Sequence, residues 1–120
     1  MGKNNELGAW GERQAARFLL KKGYRLVERN YRCPWGEIDL ILEDDEFLVF
    51  AEVKLRKSSR YGTPAEFVTR RKREKLRKTA LYYLQSHPAQ KQPRFDVVEI
   101  YAPRGTDTDP IPIHQIENAF

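Results

Sequence analysis

Between Gly36 and Arg56 the chain reads GEIDLILEDDEFLVFAEVKLR. Two apolar runs of strand length flank Asp44-Asp45, so the segment predicts a β-hairpin over Glu37–Glu43 and Phe47–Leu55. Residues two apart on a strand share a face. Leu48, Phe50, Glu52 and Lys54 therefore point one way, and Val49, Ala51, Val53 and Leu55 the other. The second strand is apolar on both faces until its C-terminal end, which gives it a central place in a sheet. Asp39, Glu52 and Lys54 stand in these strands where a core calls for Val or Ile. With the turn at Asp44-Asp45, opposed residue numbers sum to about 89 or 90. That register sets Glu37 near Glu52 and Asp39 near Phe50, with Asp39 and Glu52 as diagonal neighbours within reach of one ion.

The flanking sequence supplies the other layers. Asn5–Lys22 predicts a helix with Leu7, Trp10, Ala15, Phe18 and Leu19 at helical spacing and Gly23 as its stop. Gly8 and Gly11 weaken its first turns, which suits close packing. Glu12 lies in its inward stripe with Gly8, Ala15, Ala16 and Leu19. Tyr24–Arg32 reads as a strand with Asn30 near its end, followed by a Pro34-Trp35-Gly36 turn. Arg56–Thr63 is a polar, basic loop, the best place for a mobile segment. Thr63 and Pro64 then suit the N-cap and first position of a helix running to about Gln85. Its inward stripe is Ala65, Val68, Lys72, Leu76, Thr79/Ala80 and Tyr83. Arg94–Ala102 is a last clear strand. Ile111–Phe120 reads as either a short edge strand or a packed tail. The order α-β-β-β-α-β, plus a tail, predicts a single α/β domain over residues 1–120, a mixed sheet with helices on its faces.

Charge is unevenly spread. Lys54–Lys78 holds eleven Lys and Arg against two acidic residues, in a chain whose net charge is only +5. A basic block on a mildly acidic body is the footprint of a face that meets a polyanion, most often nucleic acid. A single cysteine, Cys33, excludes an internal disulfide. Met1–Glu6 is polar with no apolar signal core, and the longest apolar run, Phe47–Ala51, is far too short to span a bilayer. These features predict a soluble, cytoplasmic protein with no membrane partner.

Two neighbouring carboxylates repel each other and lose hydration, and a divalent cation removes both costs. An oxygen-only donor set, without His or Cys, points to Mg²⁺ or Mn²⁺ rather than Zn²⁺. Lys54, two residues beyond Glu52, adds an ammonium that can assist an attacking water or neutralise a phosphate. An ion pair of Lys54 with Glu52 or Asp39 at a strand end is the plainer explanation. Glu12 and Lys72, each interrupting the apolar stripe of a helix, tilt the reading toward a functional site. Asp96, at the start of a strand, reads as a structural ion pair or hydrogen bond. Trp10 and Trp35 read as core or interface rather than base-stacking.

Asp39 followed by Glu52-Val53-Lys54 resembles the PD-(D/E)xK nuclease motif, with Glu37-Ile38-Asp39 in place of Pro-Asp. The chain as a whole resembles the YraN-type family of bacterial predicted endonucleases, through GAWGERQAARFLLKKGY, NYRCPWGEIDLIL, VFAEVKLRK, RRKREKLRKTALYYL, RFDVVEI and IENAF. That family is similar to archaeal Holliday-junction resolvases. The resemblance implies a restriction-endonuclease-like three-layer fold, a homodimer, and Mg²⁺-dependent cleavage of branched DNA. It implies Asp39, Glu52 and Glu12 as metal-holding acids, the Val53 carbonyl as a further ligand, Lys54 as the motif lysine, and Glu37 as a site residue. Arg56, Lys57, Arg60, Arg70, Arg71, Lys72 and Arg73 are the expected phosphate contacts. The competing expectation is a non-catalytic nucleic-acid-binding module that keeps the nuclease fold.

Overall fold

The computed structural model describes residues 2–57 and 69–120. Helix α1 (Gly2–Lys21) is followed by strands β1 (Arg25–Cys33), β2 (Gly36–Glu43) and β3 (Phe47–Arg56). Helix α2 (Arg70–Ser86), β4 (Gln92–Tyr101), a short 3-10 turn (Gly105–Asp107) and β5 (Ile113–Ile116) complete the chain. The strands form one five-stranded sheet in the order β1-β2-β3-β4-β5. β3 and β4 run parallel, joined through α2, and every other pair is antiparallel. β3 is the central strand, as its two apolar faces require.

Each face of the sheet carries one core. Trp10, Ala15, Ala16 and Leu19 of α1 pack on Leu40, Leu42, Val49, Ala51, Val98 and Ile100. Leu76, Ala80 and Tyr83 of α2 pack on Ile38, Ile41, Leu48, Phe50 and Val97 on the other side. The result is a helix–sheet–helix α/β fold, compatible with a restriction-endonuclease-like architecture. Gly11 sets the approach of α1: a Cβ there would land on the Leu55 side chain. At Gly8 a Cβ would meet nothing within 4 Å, so only one of the two glycines serves close packing.

Three local expectations are corrected. The hairpin tip is Asp45-Glu46, because the Asp44 carboxylate accepts the N–H groups of Glu46 and Phe47 at 2.9 and 2.7 Å and the Asp44 N–H donates to the Phe47 carbonyl. β2 and β3 consequently pair as Glu43↔Leu48, Ile41↔Phe50 and Leu40↔Ala51. The next step of that register sets Asp39 across from Glu52, not near Phe50. Across β1, Glu37 pairs with Arg32. α2 starts later than Thr63-Pro64, which lie outside the described residues. Thr69 is extended (φ −63°, ψ 163°) and caps the helix, its Oγ1 accepting the Lys72 N–H. A continuous helix through Thr69 is thereby excluded. Asn30, three residues before the end of β1, has a left-handed backbone with φ 53°. The C-terminal segment realises both alternatives. β5 pairs with β4, and beyond it the Ala119 N–H donates to Phe95 O at 2.7 Å while Phe120 stacks on Phe95.

Candidate active site

Strand alternation breaks at Asp39, and the break makes the site. Ile38 and Leu40 are two apart and should share a face, yet Ile38 packs in the α2-side core and Leu40 in the α1-side core. On β1 the left-handed Asn30 sits between Arg29↔Leu40 and Tyr31↔Ile38, so the neighbouring strand breaks at the matching point. The described β2–β3 pairing ends at Leu40↔Ala51. Just past it, the Asp39 Oδ2 accepts the Val53 N–H at 2.8 Å, a donor that a straight ladder would have given to β2 backbone. Asp39 is thus held at the seam between two cores, where the central strands part.

Glu52 and Lys54 follow Leu48 and Phe50 on the α2 side of β3. Glu52 is nearly buried, and its Oε1 meets Lys72 Nζ of α2 at 2.9 Å and Lys54 Nζ at 3.6 Å. The helix start at Thr69 places Lys72 in the first turn of α2, over this end of the sheet. Burial, reinforced by a hydrogen bond and positive charge from Lys72, holds the Lys54 pKa below its ordinary value despite Glu52. Burial also opposes the charge of Lys72. There, hydrogen bonds to Lys54 and Glu52 and the charges of Glu52 and Asp39 prevail, and its pKa rises. The two lysines are therefore pushed in opposite directions, Lys54 down and Lys72 up.

On the α1 side, Glu12 lies against Asn30 and Asp39. Its pKa is raised, by burial first and then by Glu37, against the pull of hydrogen bonds to Asn30 and Asp39. Asp39 is pushed from 3.8 up to about 7, by burial first, then by Glu52, Glu12 and Glu37, against the Val53 N–H. Both carboxyls are thus pushed toward their protonated forms by burial and by one another's charge. Asn30 is the residue that sequence reasoning missed. Its signal was a strand interior occupied by Asn, the side chain that best tolerates a left-handed backbone.

The expected donors to a divalent cation meet only in part. Glu12, Asp39 and Glu52 converge electrostatically from α1, β2 and β3. Glu37 is mostly exposed and pairs with Arg32 at 3.1 Å, so it acts on the site through its charge. Val53 contributes its N–H. Among the described residues no three His, Cys, Asp or Glu side chains stand close enough to enclose a metal ion as placed. The chemistry of the donor set nevertheless fits a hard cation: carboxylate oxygens, one buried and two half-buried, that repel one another.

The basic residues divide. Lys57, Arg70 and Arg71 are exposed, Arg70 with Glu74 at 3.5 Å. Arg73 lies over the Phe120 ring, and Arg56 is committed to Glu99 of β4 at 2.7 Å, largely out of solvent. Lys72 belongs to the carboxylate site rather than to an outer surface. Arg60 lies outside the described residues. Trp10 is buried as expected, but Trp35 is 53% exposed and is not core. Asp96 is buried and bound through both oxygens by Arg94, Gln115 and the Asn118 N–H, a structural clamp on the C-terminal segment. Among the described residues no helix is long and apolar enough to cross a membrane.

The model of the Uncharacterised protein family UPF0102 matches residues 11–100, which contain Glu12, Asp39, Glu52, Lys54 and Lys72. A UPF0102 protein of Syntrophomonas wolfei is 48% identical over 118 residues, covering 98% of this chain and 99% of its own length. One of Caldicellulosiruptor saccharolyticus is 41% identical over 116 residues, covering 96% and 97%. Another, of Thermodesulfovibrio yellowstonii, is 44% identical over 115 residues, 96% of each chain. Similarity at this level, along nearly the whole length of each partner, leads to one conclusion: the chain belongs to the UPF0102 family.

Proposed function

We propose that this protein is a divalent-metal-dependent endonuclease that hydrolyses DNA phosphodiester bonds, with branched DNA as its substrate class. One observation carries the reading. Asp39 is half-buried at the parting of the central strands with its carboxyl pushed up to about 7, beside Glu52, whose Oε1 two lysines share. A structural ion pair needs one lysine and no second acid. The arrangement instead provides a cation-binding acid pair, a proton acceptor and a fixed positive charge.

The chain's own groups divide the work. Asp39 and Glu52, with Glu12 behind Asp39, would hold Mg²⁺ or Mn²⁺. Such an ion supplies Lewis acidity toward the phosphate and lowers the pKa of a bound water. Lys54 Nζ, kept less basic by burial and then by Lys72, accepts a proton as water oxygen attacks phosphorus. The P–O3′ bond breaks, the leaving oxygen is protonated from solvent, and the products are a 5′-phosphate and a 3′-hydroxyl. Lys72 remains charged and neutralises the phosphate as it forms. Around this centre, α2 opens with Arg70, Arg71, Lys72 and Arg73 and no acid in its first turn. That order opposes the helix dipole and suits a phosphate backbone as its neighbour. A second copy of the chain, each protomer with its own site, would serve two-strand cleavage.

A second reading has a specific observation in its favour. Glu52 is already paired with two lysines, and the described acids do not enclose a metal as they stand. A module that binds nucleic acid without cutting it would look the same. End-labelled four-way junction, fork, duplex and single strand, incubated with Mg²⁺ or Mn²⁺, separate the two. Cleavage by wild type that Glu52→Gln and Lys54→Ala both abolish establishes the nuclease. Salt-sensitive binding without cleavage establishes the module.

A further inference from the structure

An aromatic groove lies apart from the carboxylate site, on the outer surface of α2. Trp35, in the β1–β2 turn, is 53% exposed, with Leu81 at 62% and Tyr82 at 41%. Together with Lys78 and Gln85 they line an open groove of about 270 Å³. The turn is pressed onto the helix: a Cβ at Gly36 would come within 3.1 Å of Thr79 Oγ1. Trp35 is therefore fixed against α2, and Lys78 Nζ lies 5.6 Å from its ring centre.

The groove ends a cationic stripe. Arg71, Lys75, Lys78 and Tyr82 follow one another at three- and four-residue spacing, all exposed, along one face of α2. The helix as a whole carries seven Lys and Arg and one Glu. Charge of this density disfavours a protein partner, because the cores of protein interfaces are depleted in Lys. It matches a chain of phosphates, and an exposed ring beside it matches the flat face of a base. Lys78 lies about 9 Å along the helix axis from Lys72 and about 120° around it, given about 1.5 Å of rise and 3.6 residues per turn.

We propose that the Trp35–Tyr82 groove stacks an unpaired base of a nucleic-acid strand whose phosphates lie along Arg71, Lys75 and Lys78. Stacking needs a base outside a duplex, so the groove selects single-stranded arms, flaps or opened junctions over blunt duplex. The inference rests on the nucleic-acid reading of α2. It adds to that reading a site, apart from the carboxylates, that recognises an unpaired base. The Lys78 ammonium can leave the ring for a phosphate as the base arrives.

The test is the affinity of the full chain, in metal-free buffer, for a blunt duplex and for the same duplex carrying a single-stranded arm. Wild type, Trp35→Ala, Trp35→Phe and Tyr82→Ala are compared by fluorescence anisotropy, with sedimentation run in parallel. Trp35→Ala should weaken armed DNA by about tenfold and leave blunt duplex unchanged, while Trp35→Phe retains most of the preference. Equal affinity of wild type and Trp35→Ala for armed DNA overturns the inference and leaves the nucleic-acid reading intact. So does an equal loss on both DNAs. A Trp35→Ala variant that changes only the oligomeric state assigns the groove to a second copy of the chain and also overturns it. If wild type binds no DNA at all, both readings fall together.

Discussion

The Asp39 carboxyl gives the sharpest test of the site's electrostatics. In the folded chain it holds its proton up to about pH 7, against an ordinary value of 3.8. The folded state therefore carries an extra proton between those values, and on this group's account stability falls as pH rises through that window. A rise of this size corresponds to about 4 kcal/mol at high pH. That figure is a ceiling, because the side chain is only partly buried and water reaches it. Asp39→Asn removes the ionisation and keeps an oxygen that can accept the Val53 N–H. The variant should match wild type within about 1 kcal/mol at pH 4 and exceed it by about 2 kcal/mol or more at pH 8, without metal. Urea unfolding of both proteins in chelator at the two pH values measures the difference. If Asp39→Asn is destabilised equally at both, the carboxylate is a net stabilising partner of the nearby lysines. The argument for a charge-strained acid pair would then be refuted.

Two further outcomes follow from the packing. Gly11→Ala should cost about 1 kcal/mol, the overpacking against Leu55 outweighing the gain in helix propensity. Adding Leu55→Ala should show favourable coupling in a double-mutant cycle read by urea unfolding. Asp96→Ala strips buried Arg94 of its main partner, leaves the Asn118 N–H without its acceptor and leaves Gln115 Nε2 only the longer bond to Tyr24 Oη. It should cost about 3–5 kcal/mol by the same measurement, and hydrogen exchange should show β5 and the C-terminal segment loosening first.

What the sequence disclosed depended on whether a local signal had a rival. The place of β3 was legible because an apolar strand with two clean faces has few other uses. The α2 stripe of Leu76, Thr79/Ala80 and Tyr83 was legible because helical periodicity survives uncertainty about where a helix begins. The start itself was not, since Thr63-Pro64 and Thr69 are both good N-terminal signals and only tertiary context chooses. The hairpin register moved because one side chain, Asp44, took two backbone donors and shifted the turn. That shift took Phe50 away from Asp39 and paired it with Ile41. Strand parity alone could not place Asp39 between two cores, because the left-handed Asn30 breaks the alternation beside it. Arg56 counted toward a basic patch in composition, yet its partner Glu99 comes from a strand far along the chain.

The claim on which the account stands is that Asp39 and Glu52 share a divalent cation. Mn²⁺ titrated into the full chain at pH 8 and followed calorimetrically tests it without reference to activity. The account predicts one Mn²⁺ per chain for wild type, none at the site for Asp39→Asn or Glu52→Gln, and tighter binding for Lys72→Met, which frees Glu52 from its nearest cation. Wild type that takes up no Mn²⁺, or takes it up as well without either carboxylate, would contradict the account.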